Sequence, residues 1–117
     1  MKKIEVLKKR KDFVRVAKGV KSIMPAVILM AARSLCKEEC APKVGYTTTK
    51  KIGKANVRNR ARRRMRVAVA ELFPKYALNN IEYVLIGRWN TAICPFDVLL
   101  KSLEKALQKV AKELANE

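Results

Sequence analysis

Residues 43–66 read KVGYTTTKKIGKANVRNRARRRMR, and the pattern changes period once within them. Val44, Tyr46 and Thr48 alternate with Gly45, Thr47 and Thr49, a strand of β-branched and aromatic character. Gly53 breaks that alternation. Residues 56–72 then follow a helical period. At about 100° per residue, Val57, Ala61, Met65, Ala68, Val69 and Leu72 share an arc of about 120°, with Asn59, Arg60, Arg62, Arg63, Arg64 and Arg66 outside it. The stretch therefore encodes a strand, a basic loop, and a helix with one apolar stripe under a wrap of guanidinium groups.

The charge around this stretch is one-sided. No acidic residue occurs between Cys40 and Ala70, while Lys43, Lys50, Lys51, Lys54, Arg58, Arg60, Arg62, Arg63, Arg64 and Arg66 all do. Residues 72–117 are nearly neutral, with six basic and five acidic side chains; residues 1–39 carry eleven and four. The total is a formal +17 on 117 residues. A solvated helix face normally mixes signs, and an unmixed block costs self-repulsion that a polyanion relieves. Arginine adds geometry to charge, because its planar fork holds two phosphate oxygens and stacks on a base.

Working outward, the remaining punctuation predicts one domain over residues 1–117. Residues 8–18 read as a short helix with Phe13, Val16, Ala17 and Val20 on its apolar side and Gly19 as its stop. Ala26–Ala32 reads as a buried strand after Pro25, and residues 33–42 as a loop. Pro74 and Asn79-Asn80 close the arginine segment; Ile81–Gly87 is a further strand and residues 89–94 a loop. Pro95 opens a last helix, in which Phe96, Leu99, Leu100, Leu103, Ala106, Leu107, Val110 and Leu114 keep a 3-and-4 spacing. Helix, strands, helix, strand, helix is an α+β or α/β two-layer sandwich.

Composition removes several function classes. Half the residues are hydrophobic, so the chain is no disordered basic tail. It has no histidine, which excludes Ser-His-Asp and Cys-His catalysis and imidazole metal sites. The longest apolar run, Ala26–Ala32, is too short to cross a bilayer, and no secretory-type stretch begins the chain. The helix stripe is Ala- and Val-rich, a poor match to a membrane-surface helix. With no secretory-type stretch, Cys36, Cys40 and Cys94 are expected to be free thiols of a reducing compartment, and a zinc site is not expected for want of a fourth ligand. Glu71, Glu82 and Asp97 stand apart from the basic stretch, so no acid/base constellation forms.

The loop before the helix invites a nucleotide-binding reading and fails it. Gly45 and Gly53-Lys54 are too far apart, and Ala55 stands where a P-loop needs Ser or Thr. What remains is an anion site: Lys50, Lys51 and Lys54 flank a helix start, where backbone N–H groups and the dipole favour negative charge.

In this order, Lys50-Lys51, Gly53-Lys54-Ala55 and Arg58-Asn59-Arg60 resemble the signature of the bacterial ribonuclease P protein component. The likeness is close over residues 43–66 and looser elsewhere, at Asp12-Phe13, Gly19, Tyr83–Ile86 and the last helix. The resemblance implies an α/β sandwich with an unusual left-handed βαβ crossover, against the usual rule. It implies an accessory subunit of the ribonucleoprotein endonuclease that removes the 5′ leader of precursor tRNA. The RNA would carry the chemistry with divalent metal (magnesium), and the protein itself would hold no cofactor. The partners implied are the ribonuclease P RNA and precursor tRNA, with no DNA and no membrane, in a bacterial cytoplasm.

Carried onto this chain, the resemblance assigns Lys50, Lys51, Lys54, Arg58, Arg60, Arg62, Arg63 and Arg66 to the catalytic RNA. It assigns Phe13, Ala17, Val27, Leu29, Arg58 and Asn59 to the single-stranded leader, gripped by stacking plus backbone charge. Phe13 has the competing role of a core aromatic. The chain departs from the family pattern in three places. Ala17 stands where an aromatic is common, the strand Val27-Ile28-Leu29-Met30 has no aromatic, and Val67 replaces a frequent Glu. The alternative from another class is a structural RNA-binding protein, for example a ribosomal one; a self-sufficient nuclease is a third reading.

Overall fold

The structure is a computed structural model and describes residues 4–116. Its elements are β1 (Glu5–Val6), α1 (Arg10–Ala17), β2 (Val20–Ile23), β3 (Val27–Arg33), β4 (Lys43–Thr47), a 3-10 turn (Lys50–Ile52), α2 (Ala55–Tyr76), β5 (Ile81–Gly87) and α3 (Phe96–Ala115). The five strands form one sheet in the order β1-β4-β5-β3-β2. β4 and β5 are parallel, Lys43 opposite Glu82 and Thr47 opposite Ile86, and α2 is the crossover between them. β3 runs antiparallel to both β5 and β2, and β1 pairs with the start of β4 in parallel.

Side chains alternate across a strand, and the two faces of this sheet are covered differently. Val27, Leu29 and Ala31 of β3 and Ile81, Tyr83 and Leu85 of β5 meet α2 and α3 in the main core. This is the two-layer sandwich the sequence specifies. The opposite face carries α1 alone, over a small cluster of Leu7, Val16 and Val84 flanked by Phe13, Met30, Ala32 and Ile86.

The periodic segments bury what their spacing predicts. α2 buries Ala61, Met65, Ala68, Val69 and Leu72, and leaves Val57 half-buried. α3 buries Leu99, Leu103, Ala106, Leu107, Val110 and Leu114, with Phe96 and Leu100 at the margin. Each such Leu is worth about 1.5–3 kcal/mol removed from water, enough to hold helices with no side-chain caps.

Several boundaries differ from the sequence reading. α2 runs through Pro74 to Tyr76. Proline there deprives only the Ala70 carbonyl of its donor. The last turn is closed by the Ala77 N–H on the Phe73 carbonyl and pinned by the buried Phe73 ring, edge-on to Tyr83 at 5.0 Å. Val20 belongs to β2, not to α1; the four-residue edge strand and the two-residue β1 are too short to show a period. Gly19 does more than stop α1, since a Cβ there would collide with the Ala31 carbonyl.

The cysteines also depart from expectation. Cys36 and Cys40 form a disulfide across their loop, with Cα atoms 6.7 Å apart, and Cys94 is the free thiol. Local hydrogen bonds shape that loop. The Cys36 N–H donates to Ser34 Oγ, and Asn80 takes the Cys40 N–H on Oδ1 while its own N–H donates to the Cys40 carbonyl.

Candidate nucleic-acid interface

α2 presents its arginines in three ways. Arg60, Arg63 and Arg66 are exposed, as are Lys50, Lys51 and Lys54 on the turn before it. Arg58 and Arg62 are half-buried at the side facing β4. Arg62 donates to Thr48 Oγ1 at 2.7 Å and to Asn59 Oδ1 at 3.5 Å. The Arg58 Nε is buried and makes no hydrogen bond among the described residues. Arg64 serves the fold instead. It donates to the Thr91 carbonyl at 2.7 Å and to the Cys94 carbonyl, and lies over the Phe96 ring at 5.8 Å.

The turn is shaped by Gly53, whose φ of 142° lies where side chains are strained and whose Cα faces Val57 closely. It delivers the chain from the end of β4 into the start of α2, so Lys50, Lys51 and Lys54 gather at one end of the helix.

Beside α2 lies a groove of about 450 Å³. Phe13, Lys8 and Arg10 form one wall, Tyr46, Thr47 and Thr48 of β4 the floor, and Arg62 the other wall. β1 covers only Lys43 and Val44, so this part of β4 is a sheet edge. Arg66 stacks over Tyr46 at 5.6 Å. Burial pushes the Tyr46 phenol up to about 12 against the opposing pull of Arg66, so it stays a neutral donor at physiological pH. The groove thus combines aromatic faces, hydroxyls and guanidinium groups. These are the ingredients for holding a single-stranded polyanion.

The sequence-derived leader set needs correction at Val27 and Leu29. Both are 0% exposed and face the α2/α3 core, so no nucleotide reaches them. The α1 face of β3 carries their neighbours Ile28, Met30 and Ala32 instead. A continuous apolar run conceals which parity faces which layer. Ala17 is exposed one turn beyond Phe13 and lies outside the groove lining. Asn59 is exposed on α2 and touches Arg62. Lys8, Arg10 and Tyr46 were missed by the sequence reading. The basic run Lys8–Lys11 before α1 and an aromatic on an alternating strand were the available signals.

Ion pairing leaves this surface bare. Among the described residues both salt bridges belong to Arg15, with Asp12 at 3.7 Å and with the buried Glu82. Glu82 also accepts from Ser34 Oγ at 3.2 Å, and Arg15 donates to the Arg33 carbonyl. None of the lysines of the turn or the arginines of α2 meets a carboxylate among the described residues. Those residues also hold no group of three His, Cys, Asp or Glu side chains fit for a metal ion, and no helix long and apolar enough to cross a membrane.

An α/β domain with a stripe of unpaired arginines beside an aromatic groove is an RNA-binding protein. The sequence profile of the Ribonuclease P family matches residues 1–111. The ribonuclease P protein component of Paramagnetospirillum magneticum is 44% identical over 92% of this chain and 84% of its own length. That of Ruegeria pomeroyi is 40% identical over 92% and 86%. The fold is similar to the Staphylococcus aureus RNase P protein, with a TM-score of 0.74, 23% identity and coverage of 92% and 95%. It is equally similar to that of Thermotoga maritima, with a TM-score of 0.74, 19% identity and coverage of 90% and 96%. The chain belongs to the ribonuclease P protein family.

Proposed function

We propose that the exposed face of α2 and the Lys50–Lys54 turn dock on the ribonuclease P RNA, while the groove beside them takes the 5′ leader of precursor tRNA. Family membership makes the chain an accessory subunit of the endoribonuclease that matures tRNA 5′ ends. Nothing in the relatives favours a ribosomal role. The observation that carries the assignment is the bareness of the arginines. Arg60, Arg63 and Arg66 are exposed and meet no carboxylate among the described residues, so their charge is free for phosphate.

The leader assignment rests on Phe13, Tyr46 and Arg62 lining one groove, with Arg58 and Asn59 between it and the helix start. Stacking on an aromatic face with charge along the backbone suits single-stranded RNA. The domain lowers the repulsion between two polyanions. The RNA would hold the magnesium and carry the hydrolysis, in a bacterial cytoplasm. Glu82, the buried carboxylate, is engaged by Arg15 and Ser34.

Reconstitution tests this. The purified protein should cleave no precursor tRNA alone, and should lower the magnesium requirement of the ribonuclease P RNA when added to it. Cleavage by protein freed of all RNA, or failure to bind that RNA at moderate salt, would overturn the reading.

A further inference from the structure

We propose that Trp89 is a base-stacking contact, its ring packing on an unpaired nucleotide of the ribonuclease P RNA next to the phosphates held by the Lys50–Lys54 turn and Arg60. This rests on the docking role proposed above and adds a contact outside the arginine helix and the groove.

Trp89 is the chain's single tryptophan and is 67% exposed. Ile93, four positions on, is 70% exposed, and Ile23 is 59% exposed. Trp89 and Ile93 sit on the loop after β5 and Ile23 ends β2, and the segments that follow these strands are tied together. The Arg88 guanidinium donates to the Met24 carbonyl at 2.8 Å, and Thr91 Oγ1 donates to the Ala26 carbonyl at 2.6 Å. Thr91 is fully buried, and its hydroxyl also receives the Arg88 N–H. Arg64 ties the same loop to α2 through the Thr91 and Cys94 carbonyls. Trp89 therefore stands on a fastened support, with the ordering entropy of its backbone already met in the free protein.

Its surroundings say what would cover it. Gly87, two residues before it, lies against Thr48 and Ile52, so the loop leaves the sheet at the end where Lys50, Lys51 and Lys54 gather. No acidic residue occurs between Glu82 and Asp97. An exposed indole on a loop that leaves the sheet at the end of the lysine turn and is bonded to α2 through Arg64 suits a nucleobase, whose π-face stacks while neighbouring phosphates meet the lysines.

The single tryptophan makes the test direct. The ribonuclease P RNA alone is titrated into the full protein while Trp89 fluorescence and filter binding are followed. Stacking predicts quenching at the same RNA concentration as binding. Trp89→Ala should bind about tenfold more weakly with an unchanged salt slope, and Trp89→Phe should recover most of the loss. Trp89 is exposed, so circular dichroism of both variants should match the parent. Binding without a fluorescence change, with Trp89→Ala as tight as the parent, would overturn the stacking and leave the docking role standing. Quenching that appears only when leader-bearing precursor tRNA is added, or on raising protein concentration without RNA, would overturn it in favour of the substrate or a second copy. Absence of any RNA binding by the parent would remove the docking role and this contact with it.

Discussion

The tip of the Phe13 ring, Cζ and Cε1, lies against the backbone of Gly45. A Cβ built on Gly45 would stand 2.5 Å from Cζ and 2.6 Å from Cε1 of that ring. The glycine lets an aromatic of α1 reach β4, and the two together set the width of the groove. Gly45→Ala should push the half-buried ring outward at a stability cost of about 1–3 kcal/mol and weaken leader binding. Chemical denaturation and precursor-tRNA affinity of the holoenzyme measure the two effects.

Phe13→Ala removes the ring altogether. The preference for precursor over mature tRNA should fall by about tenfold, the worth of one stacked base, while affinity for the RNA subunit barely changes. Equal losses for both tRNAs would place Phe13 in the core role alone.

Arg60 and Arg63 are exposed, so their removal should leave the fold intact. The double change to Ala should weaken RNA binding and flatten the log–log salt dependence by about one unit or less per lost phosphate contact. An unchanged slope would mean that neither side chain meets the backbone of the RNA.

Arg64→Ala should behave in the opposite way. It loses the hydrogen bonds to the Thr91 and Cys94 carbonyls and the contact over Phe96. We expect a loss of about 2 kcal/mol in urea unfolding, with the salt slope of RNA binding nearly preserved.

Tyr83 is buried, and burial pushes its phenol up to about 12 against the hydrogen bond from the Leu78 N–H. The neutral form is favoured in the folded state, so its contribution is intact below pH 10, the usual phenol value, and is lost as pH rises from 10 to about 12. The slope should be about 1.4 kcal/mol per pH unit for this group. The stability gap between the parent and Tyr83→Phe, followed against pH, isolates it from the lysines that titrate in the same range.

Much of the site was legible because it is local. The ten cations from Lys43 to Arg66 and the apolar stripe of α2 lie within one continuous segment, so period and composition alone separate the buried side from the bare one. The groove was harder. Its walls come from Lys8–Phe13, Tyr46–Thr48 and Arg62, which meet only when the sheet orders β4 beside β5 and α1 crosses the open face. Arg64 looked like its neighbours in sequence, and only the position of the Thr91–Cys94 loop turns it inward.

The sequence by itself determined the helices, the strands β3 to β5, the polyanion-binding character and the family. Each of these follows from hydrophobic period, charge sign and short-range residue order. Tertiary structure decided which parity of β3 faces α1, and so removed Val27 and Leu29 from the leader set. It also decided that Cys36 meets Cys40 and that Glu82 is held by Arg15. Such choices depend on which layer covers which face, and a run of uniformly apolar residues carries no record of that.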